Sequence, residues 1–308
     1  MKPLGEVPVN LTTDVVCIGH ASYDLIFSVN YHPAADEKTT AQHFLACGGG
    51  PAANAAVVIA RLGFNAAFSG YLGQDLYGAS HVQELADEGV NMALLVRGAM
   101  PTPVSVVWVK PDGQRALVNY KGDTVTLAET EVDYSNISAK AVLFDGHEPH
   151  LALKFLQQQP QIPSILDAGS VHAGTLALID KSQYLVCSEK FAVQYAGDVS
   201  AALTRLAGLA PVVVITLGEQ GLIWQRGAEK GWLNAPTINA VDSTGAGDAF
   251  HGAFAAGVAQ QLAWQDLLVY ASVAGAYCCT QTGARPGMPN QQQHSALAKT
   301  FCAHWLAG

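Results

Sequence analysis

Residues 242–248 read Asp-Ser-Thr-Gly-Ala-Gly-Asp, a heptad whose residue types and spacing could handle a phosphate. Beyond Asp248, Phe250, Phe254, Gly257 and Val258 recur every three or four positions, the pattern of a helix face. Gly245, Ala246 and Gly247 therefore sit at a predicted helix N-terminus, where main-chain N–H groups lack intrahelical partners. Those donors, the positive end of the helix dipole and the absence of bulky side chains suit a closely approaching anion. A carboxylate beside such a site repels the ligand unless its task is to take a proton. Asp248 is thus a candidate general base, and a first-turn or capping aspartate is its plain alternative.

Other elements must position this turn. The run 15–18, Val-Val-Cys-Ile, reads as a buried strand ended by Gly19. A dinucleotide-binding fold would follow it with Gly-x-Gly-x-x-Gly, but Gly19-His20-Ala21-Ser22-Tyr23-Asp24 holds one glycine, so that reading fails. Residues 25–47 look extended and irregular. Next, Gly48-Gly49-Gly50-Pro51 opens an Ala/Val/Ile/Leu helix, with Pro51 at its first position and Gly63 just past its end. The glycines allow either a close ligand or a tight turn, and Asn54 is either a ligand-binding or a packed polar residue. A strand at 66–69 precedes Gly70-x-x-Gly73-x-Asp75-x-x-Gly78, and a helix through Glu84 ends at Gly89. Two β-rich runs, 104–110 and 115–120, flank Pro111-Asp112-Gly113-Gln114 as a hairpin. From there strand-like runs at 141–144, 164–166, 184–187 and 212–216 alternate with helical segments, the rhythm of a parallel α/β sheet. Asp145-Gly146-His147-Glu148, Asp167-Ala168-Gly169, Ser188-Glu189 and Thr216-Leu217-Gly218 fall at the carboxyl ends of those strands, where ligands collect.

The string from Asp242 to Asp248 resembles the C-terminal signature of the ribokinase-like, or PfkB, carbohydrate kinases, and the resemblance extends over the whole chain. It implies an α/β fold: a central, mostly parallel sheet flanked by helices, with a small β-sheet lid. The core would comprise residues 11–24, 48–101 and 127–308; the lid would comprise 25–47 and 102–126. It implies an ATP-dependent sugar kinase in which Gly245, Ala246 and Gly247 hold the transferring phosphoryl group and Asp248 is the base. Gly49, Gly50 and Asn54 match a Gly-Gly-x-x-x-Asn sugar motif, and Asp24 matches a second sugar-binding position; a polyol needs both donors and acceptors. Asn119 on the lid hairpin would face the sugar, with Lys38 and His147 at its far end. Thr216, Gly218 and Gly221 resemble the nucleotide-binding turn, and Ser272 an adenine-side position. Asp242 and the loop from Gly283 correspond to a potassium cradle. Mg²⁺ would accompany ATP, and the lid would carry a homodimer contact. The string Gly70–Gly78 resembles a family signature that mostly caps and orients the next helix.

Two departures matter. Where many relatives carry Asn-x-x-Glu to organise Mg²⁺ and phosphate, this chain reads Ser188-Glu189-Lys190-Phe191. Where relatives acting on anionic sugars carry arginine, this chain has His147, which is largely neutral near pH 7. The Gly48–Ala53 string and Lys38 resemble the ketohexokinase and sulfofructose-kinase branch. The expected substrate is an uncharged ketose phosphorylated on a primary hydroxyl. Its alternatives are an acidic sugar, a nucleoside, or a catalytically silent sugar or nucleotide sensor on the same fold.

Composition agrees with such a chain. Its 308 residues can bury a large core. Charged residues make up 13%, about half the usual share. A net charge of −9 with scattered Lys and Arg disfavours nucleic acid as a partner. The six cysteines include no Cys-x-x-Cys pair and lie in apolar stretches, as expected of buried thiols in a reducing compartment. Residues 1–10 lack the apolar core of a signal peptide, and no apolar run reaches membrane-spanning length. The expectation is a cytoplasmic protein.

Overall fold

The computed structural model describes residues 10–111 and 113–307. The segment 1–9, most of the stretch weighed as a signal peptide, lies outside the described residues, as does Asp112 of the expected hairpin turn.

The chain begins with β1 (Leu11–Thr12), β2 (Val15–Ile18), β3 (Ser22–Ser28), β4 (His43–Gly49) and α1 (Pro51–Arg61). Next come β5 (Ala66–Gly73), α2 (Leu76–Asp87), β6 (Asn91–Gly98), β7 (Val104–Val109) and β8 (Arg115–Tyr120). After β9 (Ile137–Ser138) the α/β alternation sets in: β10 (Ala141–Phe144), α3 (Pro149–Gln158), β11 (Ser164–Ala168), α4 (Ala173–Leu178) and β12 (Tyr184–Ser188). Then follow α5 (Glu189–Ala196), α6 (Val199–Leu206), β13 (Val212–Thr216), β14 (Leu222–Arg226) and β15 (Glu229–Leu233). The chain closes with α7 (Ala246–Ala259), α8 (Trp264–Cys278), the short α9 (Ala284–Gly287), α10 (Gln291–Ala298) and β16 (Trp305–Ala307).

Ten strands form one sheet in the order β16-β15-β14-β13-β12-β11-β10-β2-β5-β6. From β13 through β6 the neighbours run parallel; β14, β15 and β16 extend the other edge antiparallel. The central strands are apolar on both faces because helices cover both. One core, around α1, α7 and α8, contains Val57, Phe68 and Phe254; the other, on the opposite face, contains Tyr134, Phe144 and Phe155.

The strand after Asn65 runs on to Gly73, four residues past the expected end, because β6 pairs with it throughout. Asp75 then caps α2, accepting from the Gly78 N–H at 2.8 Å, as its motif suggested.

A second sheet has four strands in the order β4-β3-β7-β8. It extends beyond the expected lid segments, because β3 already begins at Ser22 and β4 ends at Gly49. Its register aligns Cys47, Asp24, Ser105 and Asn119 across all four strands, so these side chains share one face. Further along the same face, Ile26, Cys47, Val107 and Val109 form a small apolar cluster with Leu45. Leu25, Phe27, Val106, Trp108 and Val118 occupy the opposite face by alternation.

Candidate active site

The N-terminus of α7 is where the sequence places it. Gly245 is the N-cap with φ 80°, a left-handed conformation that favours glycine. A Cβ there would lie 2.6 Å from the Ala284 Cβ, so Gly245 lets the 283–287 loop pack against the turn. Gly247 is different: the nearest atom to a Cβ would be His251 Nδ1 at 4.0 Å, and its side opens outward. Among the described residues the N–H groups of Gly245, Gly247 and Asp248 have no partner, whereas that of Ala246 donates to Ser243 O at 3.3 Å. The tightness of the turn thus closes the Ala246 N–H back onto Ser243.

Asp248 lies one turn into α7, half-buried, and its Oδ2 accepts from Asn54 Nδ2 at 2.7 Å. Burial raises its carboxyl above the ordinary range, while Asn54 and His251 pull it down. Asn54 is only 2% exposed, and its Oδ1 accepts from Arg285 Nε at 3.3 Å. A guanidinium can only donate, so Arg285 determines which end of the Asn54 amide faces Asp248. Arg285 is itself buried, with Nη2 3.1 Å from His81 Nε2 and Nη1 3.7 Å from Glu84 Oε2. Its sequence motif suggested a cation loop and gave no sign of this role.

Asp24 reaches the same place from β3. Ser22 donates to its Oδ1 at 3.0 Å, and Ser105, its neighbour across the sheet, also hydrogen-bonds to it. Burial raises its carboxyl, and Asp248 adds to the rise. Gly49 accommodates this carboxylate, since a Cβ there would lie 2.2 Å from Asp24 Oδ2. Gly50, with φ 93°, brings the start of α1 against His20 O, which a Cβ would meet at 2.5 Å. Asp145 anchors the same region: its carboxylate accepts from the N–H groups of His20 (2.7 Å), Ala52 (3.1 Å) and His147 (2.9 Å). Asn119 is exposed on the face that carries Asp24 and Ser105.

The two far-end residues part company. His147 stacks on His172 with ring centroids 4.8 Å apart and lies 5.1 Å from His20. It lines a small polar cavity with His20, Lys121, Glu148 and Tyr71. Burial lowers the proton affinity of His20 and of His172 and pushes the Glu148 carboxyl up to about 7. Lys38, by contrast, is exposed on the loop between β3 and β4 and lines neither this cavity nor the larger one described next. The cation that lines this cavity is Lys121, brought there by the chain leaving β8, which no local motif announced.

On the other side of α7 a cavity of about 690 Å³ is lined by Thr216, Gly218, Gly221 and Ser272, together with Ala246 and Gly247. All four residues assigned to a nucleotide therefore converge beside the anion turn. Gly221 is also required for packing, since a Cβ would lie 2.0 Å from Leu233 O. Asp242 joins two loops: Oδ1 accepts from Thr244 N and Oγ1 at 2.9 and 2.7 Å, and Oδ2 from Gly283 N at 2.8 Å. It is 3% exposed, and none of the ion pairs among the described residues involves it.

The four-stranded sheet touches this turn. Arg115 of β8 donates to Thr244 Oγ1, and a Cβ on Gly113 would lie 3.2 Å from Val241 O. At the missing Asn-x-x-Glu position, the Ser188 hydroxyl caps α5 through Phe191 N at 3.0 Å, and Phe191 is fully buried. A core phenylalanine has replaced the acid. Among the described residues no three His, Cys, Asp or Glu side chains form a metal cluster. Cys302 is exposed and Cys279 half-buried, contrary to the expectation that every thiol is buried; neither Cys278 nor Cys279 is in a disulfide. No helix among the described residues is long and apolar enough to cross a membrane.

The model of the pfkB family carbohydrate kinases matches residues 12–291. Ribokinase of Lactococcus lactis is 27% identical over 298 residues, covering 93% of this chain and 97% of the relative. Fructokinase-1 of Oryza sativa is 28% identical over 312 residues, covering 90% and 95%. Among solved structures, Arabidopsis thaliana ribokinase complexed with ribose and ATP superposes with a TM-score of 0.80 at 25% identity, covering 95% of this chain and all of the other.

Proposed function

Because the chain belongs to the pfkB family of carbohydrate kinases and is an ATP-dependent sugar kinase, we propose that it phosphorylates a primary hydroxyl of an uncharged ketose. The observation that carries the reading is the position of Asp248, at a turn with three N–H groups unpartnered among the described residues, and hydrogen-bonded to Asn54 on the sugar side. In the proposed step Asp248 takes the hydroxyl proton as the sugar oxygen bonds to the γ-phosphorus. The bond to the β,γ-bridging oxygen breaks, and its electron pair leaves with ADP. The N–H groups of Gly247 and Asp248 receive the charge that develops on the phosphoryl oxygens.

The row Asp24–Ser105–Asn119, with Asn54 and the N–H group of Gly50, offers acceptors and donors for a polyol. An anionic sugar would need a fixed, fork-shaped cation. Arg285 is enclosed behind Asn54, and Arg115 points to the phosphate turn, so neither supplies it. Ketose preference draws on the fructokinase relative and on the branch resemblance.

ATP suits the 690 Å³ cavity, with Thr216, Gly218, Gly221 and Ser272 against the nucleotide. Among the described residues no acidic cage is present for Mg²⁺, which would arrive with the triphosphate, as this ion commonly does. A monovalent cation such as K⁺ suits the Asp242–Gly283 junction, because a buried carboxylate bonded only to neutral donors keeps its charge uncompensated. The lid of the proposal comprises 25–47 and 102–126. Its outer face exposes Phe44 (59%), Val118 (60%) and Tyr120 (61%), a surface for pairing with a second copy.

The test is an ADP-release screen over ketoses, aldoses, 2-keto-3-deoxy acids and nucleosides. A neutral ketose should show the highest kcat/KM. A sugar phosphate, sulfosugar, sugar acid or nucleoside as best acceptor overturns the substrate reading, and ADP release with none of them points to a silent sensor.

A further inference from the structure

Beneath the first turn of α7 lies an imidazole that the phosphoryl transfer above does not use. His251 is 3% exposed, and both of its ring nitrogens face main-chain carbonyl oxygens. Nδ1 lies 2.6 Å from Gly247 O, and Nε2 lies 3.1 Å from Val186 O on β12. A carbonyl oxygen accepts and never donates, so each contact needs an N–H on the ring. A neutral imidazole has only one. Either tautomer would set a nitrogen lone pair against a carbonyl lone pair, at 2.6 or 3.1 Å, in a place water does not reach.

The counter-charge is in place. Asp167, at the end of β11 and 6% exposed, has Oδ2 3.3 Å from His251 Nδ1. Moving the proton to Asp167 would not rescue a neutral pair, because Nδ1 would then turn its lone pair toward Gly247 O. Burial pushes the Asp167 carboxyl up to about 7, with Asp248 and Asp145 adding to the rise and His251 opposing it. A charge on His251 would thus face Asp167 and Asp248, and a buried charge is tolerated when it is paired in this way.

We infer that His251 is held as an imidazolium whose Nδ1–H polarises the Gly247 carbonyl, strengthening the Asp248 N–H of the same peptide unit as a donor to the transferring phosphoryl group. The inference rests on the kinase reading of that turn. Hydrogen bonds in series reinforce one another, and an ionised donor at one end of the peptide strengthens the effect. His251 is thereby a positioning residue: it acts on the phosphate through the Gly247–Asp248 peptide and touches no substrate. The same charge also holds down the proton affinity of Asp248, favouring the ionised base.

Two measurements decide it. ¹⁵N NMR of the full-length protein, labelled at its ten histidines, should show both ring nitrogens of His251 protonated at pH 7.5. The resonance is identified by its loss in His251→Phe or, if that variant does not fold, by its NOE to the Val186 neighbourhood. A ring with one unprotonated nitrogen overturns the imidazolium. In His251→Phe and His251→Gln, kcat should fall about tenfold and KM for ATP should rise, with KM for the sugar unchanged. That is a smaller loss than the roughly 10²–10³ of deleting an anion-hole donor outright. Doubly protonated nitrogens with wild-type kinetics in both variants overturn the polarisation. Failure of the kinase reading is a separate result, the absence of ADP release by the wild-type protein, and leaves the NMR outcome standing.

Discussion

Asn54 donates from Nδ2 to Oδ2 of Asp248 at 2.7 Å, joining residues 194 positions apart in the chain. The bond ties the helix that follows the Gly48-Gly49-Gly50 turn to the helix that carries the base. In the proposed reaction the sugar and the phosphoryl group would therefore be served through one shared side chain.

That bond predicts a pH effect. Asp248 must be ionised to take a proton, and burial already raises its carboxyl, so the acid limb of kcat should lie above that of an ordinary aspartate. Asn54 opposes this rise. Asn54→Ala should therefore move the acid limb to higher pH, with activity lost earlier as pH falls. Asp248→Asn should lower kcat by about 10²–10⁴ at every pH while ATP still binds. Near-normal turnover in Asp248→Asn would remove the base from the mechanism.

Gly245 and Gly247 should respond differently to the same change. Gly245→Ala meets Ala284 and requires a left-handed alanine, a cost of about 1–3 kcal/mol, so its melting temperature should drop. Gly247→Val has open space around its Cβ, so circular dichroism and melting should stay close to wild type while phosphate approach is blocked and turnover abolished. Unfolding of the Gly247 variant would make that glycine structural.

The two lysines separate the neutral from the anionic substrate. For a neutral sugar, Lys38→Ala and Lys121→Ala should each leave kcat/KM within about twofold. Were the best substrate anionic, Lys121→Ala should cost at least about tenfold, because an unpaired buried anion loses a charge-assisted bond. Lys38, exposed on its loop, should matter in neither case.

Charges on the outer lid face should dissolve a dimer formed there. Phe44→Asp with Val118→Asp places two carboxylates among Leu25, Phe27 and Trp108. Light scattering after size exclusion should read a dimer for wild type and a monomer for the double variant. A wild-type monomer at micromolar concentration removes the dimer from the proposal.

The sequence by itself determined the α/β class, the limits of α1 and the anion turn. Each rests on local causes: apolar runs that demand cover on both faces, Pro51 and Gly63 at helix ends, and Gly245 where φ is positive. The kinase signature is likewise contiguous, from Asp242 to Asp248. Only the tertiary structure decided which side chains meet. Ser105 joins Asp24 through sheet register, and Arg285 reaches Asn54 across 231 positions. Lys121 lines the cavity beside His147, and Lys38 does not, because of where the chain leaves β8. The two protons of His251 depend on a carbonyl of β12 as well as one in its own helix. Periodicity within one element says which face is apolar, but strand order and register say what that face meets, and those are set by the packing of the whole chain.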